Sequence, residues 1–286
     1  MPPVTPEVLL VTFDLMPDGE PGGELLVAEL AERGVGSRWV TWVDPDVDWA
    51  AARLVAVRST WDYHRRCPEF LAWARRTAAA TTMLNGPDVF AWNADKAYLR
   101  DLAEHVPVVP TELLDDATLL DGLRAALDRW PSVVIKPRTG ASGVGVVVAQ
   151  STADPRLEGL TTGPWVIQPL VESVRTRGEV SVYVLGGGAV SQVTKAPTDE
   201  EIRVHELYGG SARLVPLDDG LAVLAEDAVR AAAGILDADL SYARVDLMQW
   251  RDRWAVSELE LIEPGLYLDV DPANAGRFAD LVVRYV

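Results

Sequence analysis

Residues 241–262 carry the pattern that most restricts how this chain can fold. Ser241 to Trp250 reads as a β-strand rich in branched and aromatic residues. A polar turn, Arg251-Asp252-Arg253, follows, and Trp254 to Ile262 returns as a second strand. Side chains two apart on a strand point to one face. Arg244 and Asp246 therefore share a face of the first strand, and Glu258 and Glu260 share a face of the second. If the register brings those faces together, three carboxylates gather beside a fixed guanidinium. Hard oxygen donors of this kind suit Mg2+, which usually takes one or two carboxylates and leaves room for phosphate oxygens. Solvated acids on a surface strand fit the same pattern equally well.

Upstream, strand and helix alternate. Val8 to Phe13 reads as a buried strand. A helix follows through Leu25, Leu26, Ala28, Leu30 and Ala31 and stops at Gly34. Arg38–Val43 and Leu54–Val57 read as further strands, and Glu69–Ala80 as a helix. This alternation predicts an open, mostly parallel α/β lobe over 1–84. Asn85-Gly86-Pro87 is a strong breaker and marks its boundary. Helices are expected near Ala94–Glu104 and over Asp115–Arg129. From Ser132 the texture changes to short strands, with Gly186-Gly187-Gly188 at a hairpin. A long helix, Asp219–Leu236, sends Leu221, Leu224, Ala228 and Ile235 toward a core, and a last helix spans about Asn274–Tyr285. The expected fold is α/β with α+β lobes: the N-terminal lobe, a small β-rich lobe over 85–170, and an antiparallel-sheet lobe over 171–286.

Charge narrows the partners. The 286 residues hold 26 basic and 43 acidic side chains, a net of −17 that argues against nucleic acid or an anionic membrane surface. A chain this negative needs local lysines, arginines, backbone N–H groups or metal to hold a phosphate compound. The single cysteine, Cys67, excludes an internal disulfide and fits a reducing compartment. No base stands near it in sequence, so it reads as inert. No apolar run reaches 18 residues, and the start, Met-Pro-Pro-Val-Thr-Pro-Glu, lacks the regions of a signal peptide. The expectation is a cytoplasmic protein.

A second chemical signal spans Val133 to Val148. A strand ends on Lys136, a loop with Gly140, Ala141, Ser142, Gly143 and Gly145 follows, and another strand resumes. In a Walker A loop the lysine follows the glycines and a helix comes next; neither holds here. A glycine-rich turn between antiparallel strands can still fold over phosphates, with backbone N–H groups as donors and Lys136 as a point charge. The bland alternative is a flexible hairpin. A third signal is Trp165 to Glu172, where a buried strand breaks at Pro169 and Glu179 then leads a new strand. An exposed backbone there can read a base edge, and Glu179 can accept from ribose hydroxyls. Edge strands commonly look the same.

In order and spacing these signals resemble the ATP-grasp superfamily, as in glutathione synthetase and D-alanine–D-alanine ligase, from about residue 85 to the end. The resemblance implies ATP and a pair of Mg2+ ions as cofactors. It implies that Lys96 and Lys136 hold the α- and β-phosphates while Ala141, Ser142 and Gly143 cover the nucleotide. The backbone of Pro169 and Val171 would read adenine, with Gln168 beside them and Glu179 on the ribose. Asp246, Glu258 and Glu260 would bind two Mg2+ with Glu258 bridging, and Arg244 would stabilise the phosphoryl group in transfer. Arg203 is the second candidate catalytic cation, and Lys195 is a candidate for the γ-phosphate. Two positions depart from the superfamily pattern: Glu260 stands where Asn is common, and Gln168 where an acid often precedes the adenine-reading backbone.

The N-terminal lobe carries a narrower resemblance. Val57-Arg58-Ser59-Thr60-Trp61-Asp62-Tyr63, Trp42-Val-Asp-Pro, Val47-Asp-Trp49 and the ending Glu258-Leu-Glu-Leu-Ile-Glu-Pro264-Gly-Leu-Tyr267 are similar to the small ligase branch that forms D-cycloserine from O-ureido-D-serine. Arg58 at a strand end would clamp a substrate carboxylate, with Trp61, Asp62 and Tyr63 shaping an amino-acid pocket. A strand-to-helix turn capped by Ser59 or Asp62 is the alternative. The implied activity is an ATP-dependent ligase that activates a carboxylate as an acyl phosphate and joins it to nitrogen, between molecules or by ring closure. A nucleotide-binding protein without turnover and a phosphotransferase are the competing readings. The expected partner is an amino-acid-like small molecule. The commonest soluble assembly is a homodimer.

Overall fold

The computed structural model describes residues 7–160, 163–198 and 201–286. The opening segment, read above for a signal peptide, lies almost wholly outside them. Along the chain run β1 (Val8–Thr12), α1 (Gly23–Glu32), β2 (Ser37–Thr41), β3 (Leu54–Ser59), α2 (Cys67–Ala78) and β4 (Thr82–Met83). These strands form a parallel sheet in the order β2-β1-β3-β4. Every residue of β1 is buried. Val8 and Leu10 pack toward α1, while Leu9 and Val11 pack toward the aromatic layer of Trp42, Phe70 and Trp73. Burial on both faces is the usual condition of a parallel sheet and explains the unbroken apolar run.

Next come α3 (Pro87–Asn93), α4 (Tyr98–Leu102), β5 (Glu112–Leu114), α5 (Leu119–Arg129), β6 (Val133–Pro137), β7 (Val147–Ala149) and β8 (Trp165–Pro169). The helix expected at Ala94–Glu104 is shorter than its pattern suggested. A separate helix, α3, begins at the very proline taken for a breaker, because Pro87 occupies its first turn, where no N–H is needed. The second sheet is antiparallel, in the order β5-β8-β6-β7, and packs on α5 through Leu114, Leu123, Ile135 and Ile167.

The remaining elements are α6 (Val174–Arg177), β9 (Glu179–Leu185), β10 (Gly188–Ala196), β11 (Ser211–Val215), α7 (Asp219–Leu236), β12 (Tyr242–Trp250), β13 (Arg253–Glu260) and α8 (Ala273–Val282). The strands build an antiparallel sheet in the order β11-β10-β9-β12-β13. Gly186 and Gly187, both at positive φ, make the two-residue turn between β9 and β10. Val180, Val182, Val184, Val245 and Leu247 turn one face toward α7, where Leu221, Ala225, Ala228 and Val229 meet them. Alternation sends Glu179, Ser181, Arg244 and Asp246 to the opposite face. Two polar rows on adjacent strands thus look away from α7, and α8 returns to pack against α1 beside the parallel sheet. No helix among the described residues is long and apolar enough to cross a membrane.

Candidate active site

The strand pair closes in the register that gathers the charges. Arg244 lies opposite Glu260 and Asp246 opposite Glu258. Beyond Asp246 the register shifts, so that Leu247 pairs with Val256 and Ser257 is the extra residue of a β-bulge. The bulge keeps Val256 in the core while Glu258 and Glu260 remain on the polar face. Ser257 Oγ donates to the Asp246 carbonyl at 3.0 Å. Ligand oxygens of Asp246, Glu258 and Glu260 all lie within 4.8 Å of one another. An all-oxygen set of this spacing fits Mg2+.

Cations are interleaved with these acids. Arg244 forks onto Asp246 at 3.0 and 2.8 Å and reaches Glu260 at 2.5 Å. Lys195, opposite Glu179 on β10, meets Glu179 at 2.6 Å and Asp246 at 3.3 Å. Ser181 Oγ donates to Asp246 at 2.5 Å. Burial alone would raise the Asp246 pKa, but Arg244 and Lys195 overcome it and hold the carboxyl well below its usual range. Lys96, in the turn between α3 and α4, meets Glu258 at 2.5 Å and the Gly140 carbonyl at 3.1 Å. Burial would raise Glu258 too, but Lys96 and Lys136 hold it down. Glu260 is pushed up to about 7 by burial, against Arg244 and with Asp246 and Glu258 adding to the rise. Lys136, at the end of β6, makes no ion pair among the described residues, and burial lowers its pKa.

The strand that carries Glu258 and Glu260 is the sheet's edge, yet its outer rim is bonded almost throughout. Val256 N–H donates to the Pro107 carbonyl, and Val109 N–H donates back to Val256, both at 2.9 Å. Leu259 N–H donates to Tyr98 Oη at 2.9 Å. Asn93 acts as a substitute strand: its amide donates to Leu259 O and its oxygen accepts from Leu261 N, each at 2.8 Å. Asn85, at φ 60°, ties Tyr242 O, Leu261 O and Ser241 N together. These contacts fix the register on which the carboxylate geometry depends. Asn93→Ala would orphan a buried donor and a buried acceptor, so it should lower stability by about 2–4 kcal/mol. Urea midpoints measure that loss, and weaker Mg2+ binding should accompany it.

The glycine loop stands over this site. Ser142 and Gly143 hold positive φ, and a Cβ at Gly143 would sit 3.3 Å from both Arg203 and Tyr208. Arg203 stacks on the Tyr208 ring, 3.5 Å from its centre, and pairs with Glu201 at 2.5 Å. It therefore packs beneath Gly143 and makes no ion pair with the Arg244 cluster. Ala141 is partly buried against the parallel-sheet core. Gln168 is buried and donates to Thr111 at 2.8 Å. Pro169 closes β8, and the carbonyl of buried Val171 accepts from Val174 N–H at 3.1 Å.

Two of the residues singled out in the sequence are enclosed by partners. Arg58 is no open clamp: it is wholly buried, donating to the Pro264 carbonyl at 2.6 Å and to Glu20 at 3.3 Å, with its guanidinium 4.4 Å from the centre of the Phe278 ring. Glu179 is buried and drawn onto Lys195, which also meets Asp246. Trp61 donates to the Glu263 carbonyl at 3.2 Å, Asp62 accepts from the Trp42 indole at 3.0 Å, and Tyr63 packs on Phe70. Ser181, Ser257, Asn85, Asn93 and Glu20 were not anticipated. Their roles depend on partners distant in sequence, and a lone Ser or Asn carries no periodic signal.

Residues 8–85 match the family model for the N-terminal domain of D-cycloserine synthetase DcsG. The chain is 33% identical to the cycloserine biosynthesis protein DcsG of Streptomyces lavendulae, over 88% of this chain and 89% of that one. It superposes on the crystal structure of D-cycloserine synthetase DcsG with a TM-score of 0.86 at 29% identity, covering 98% and 99% of the two chains. The fold also matches the ATP-grasp ligase PsnB, solved with a precursor variant, Mg and ADP, at a TM-score of 0.65 and 18% identity over 99% of each chain. The chain belongs to the ATP-grasp, ATP-dependent ligases, in the family that contains D-cycloserine synthetase.

Proposed function

We propose that this ligase closes a ring within one amino acid, converting an O-ureido-serine-like substrate to a cycloserine. The substrate carboxylate attacks the γ-phosphorus of ATP and ADP departs; the oxygen-bound ureido nitrogen then displaces phosphate from the acyl carbon, and water removes the carbamoyl group left on that nitrogen as carbon dioxide and ammonia. The relationship to D-cycloserine synthetase carries the ring closure, and the register pairing Arg244 with Glu260 and Asp246 with Glu258, with Lys96 and Lys195 against the same acids, supports the phosphoryl transfer. When bound, Mg2+ would neutralise phosphate charge, and Asp246, Glu258 and Glu260 would hold it. Arg244 would meet charge on the transferring phosphoryl group. Lys96 and Lys136 would face the phosphates, with Ala141, Ser142 and Gly143 excluding water that would hydrolyse the acyl phosphate. Trp61, Asp62 and Tyr63 would line the amino-acid side.

The test is ADP release on adding O-ureido-D-serine with and without Mg2+, with the product weighed by mass spectrometry. A product joining two molecules would replace ring closure with intermolecular ligation, and a stable phosphorylated product would mean phosphotransfer. Hydroxylamine should trap the activated carboxylate as a hydroxamate.

Glu260 gives this site a pH signature. Its folded-state pKa of about 7 lies above the ordinary 4.5, so the folded chain holds this proton more tightly than the unfolded chain does. Its contribution to stability in the metal-free protein is therefore present at low pH and fades as pH rises toward 7. Mg2+ must displace the proton, so Mg2+ affinity should rise from pH 6 to pH 8, by up to about tenfold per unit below 7. Calorimetric titration measures the slope, and Glu260→Asn should flatten it.

A further inference from the structure

Every acid of the carboxylate cluster already has a protein cation: Asp246 has Arg244 and Lys195, Glu258 has Lys96, Glu260 has Arg244 and Glu179 has Lys195. Glu263 does not. It is 7% exposed, and its carboxylate makes no hydrogen bond or ion pair with any described residue. Burial, with Glu260 beside it, holds its pKa well above the usual carboxylate range, so without a cationic partner the group keeps its proton.

The backbone around it is pinned. Trp61 donates to the Glu263 carbonyl, Arg58 to the next carbonyl, that of Pro264, and Tyr183 to the one after, that of Gly265, at 3.2, 2.6 and 3.1 Å. Wholly buried Arg58 thus braces the segment from within the core, and the Glu263 side chain projects from a rigid base. It lies three residues after Glu260, which Arg244 holds, and after burial itself the groups that act most on it are Glu260, Lys96, Arg244 and Glu258, the charges of the candidate phosphoryl-transfer site. Through the Trp61 bond to its carbonyl, Glu263 links the Arg244–Glu260 pair, three residues back, to the Trp61–Tyr63 turn. Among the described residues it stands outside the group of oxygens close enough to share an ion, that of Asp246, Glu258 and Glu260.

We infer that Glu263 receives the α-ammonium group of the amino-acid substrate. This rests on the ligase reading above. An α-amino acid carries its ammonium one carbon from the carboxylate that must reach the γ-phosphate. The receptor for that ammonium must therefore stand beside the phosphoryl site. Lys96, Lys136, Lys195 and Arg244 repel it, and the metal-facing acids are already committed. Glu263 has no such commitment: an arriving ammonium supplies the donors and the charge that let its carboxyl ionise, on a backbone whose geometry is set before binding.

The test compares wild type and Glu263→Gln on O-ureido-D-serine and on the same molecule with hydrogen in place of the α-amino group. Wild type should prefer the amino-bearing compound by roughly 100-fold in kcat/KM for ADP release. Glu263→Gln should lose most of that preference through the amino-bearing compound alone. Its affinity for Mg2+ with ADP should stay within about twofold, and its melting temperature should be unchanged, because a neutral amide of the same shape replaces a carboxyl that keeps its proton in the free protein. Equal losses on both compounds, or weakened Mg2+ binding, would overturn the assignment in favour of a structural or metal-holding role. If wild type releases no ADP with either compound, the ring-closure reading falls. Calorimetric binding of the two compounds in the presence of Mg2+ and ADP then decides Glu263 separately, and absence of binding, or binding without preference, overturns it.

Discussion

Asp246→Asn is expected to reduce Mg2+-dependent ADP release by at least about 10²–10³-fold, the order seen when one preorganised electrostatic group is removed from a transfer site. Asp246 is 2% exposed, and its two oxygens are shared among Arg244, Lys195 and Ser181. Neutralising it therefore removes a candidate metal ligand and also releases Arg244 and Lys195 from their set positions. Glu260 and Glu179 still hold those two cations, so the fold should survive with a moderate loss of stability. Turnover and urea midpoint measured on one preparation separate the two effects. Full turnover in the Asp246→Asn variant would remove Asp246 from the phosphoryl-transfer site.

The second large effect concerns stability. Arg58→Ala should destabilise the chain by about 3–5 kcal/mol, because it strands Glu20 as a buried charge and opens a space against Phe278 and Tyr242. Arg58→Met combined with Glu20→Gln should recover much of that loss, since the charge disappears from both partners and the volume is largely kept. Denaturant midpoints of the wild type and both variants decide the matter. A clamp that touched substrate would instead raise KM for the amino acid while leaving the midpoint alone.

Arg58 shows where sequence reading stops. At a strand end beside Trp61 and Tyr63 it looks open to ligand, because its closing partners, Glu20, Pro264 and Phe278, lie far away in the chain. Nothing local predicts that they converge. The strand pair at 241–262 was legible for the opposite reason. Its two runs are joined by a short polar turn, their alternation fixes the faces, and only the register stayed open. The bulge at Ser257 could not be read, since a small polar residue interrupts the alternation only slightly. Asn85 and Asn93 were hidden in another way. Their amides replace a neighbouring strand, and a side chain that substitutes for a backbone leaves no periodic trace. Asn85 and Pro87 were visible only as punctuation, although the first bonds the edge strand and the second starts a helix. Glu263 lies just past the last strand residue, outside any pattern, and only its burial without a partner draws notice.

The bonded rim of β13 also bears on the order in which this protein is made. Asn93 meets residues 259 and 261, and Asn85 meets residues 241, 242 and 261, separations of about 155–175 positions. Such long-range closure comes late in folding. During synthesis the parallel sheet and α5 have their own local partners well before β12 and β13 emerge. The carboxylate site can form only when nearly the whole chain is out, and until then Asn93, Tyr98 and the Pro107–Val109 segment wait without their strand. A nascent chain should thus hold no Mg2+, and a ribosome stalled shortly before residue 260 should display a protein that is largely folded yet chemically silent.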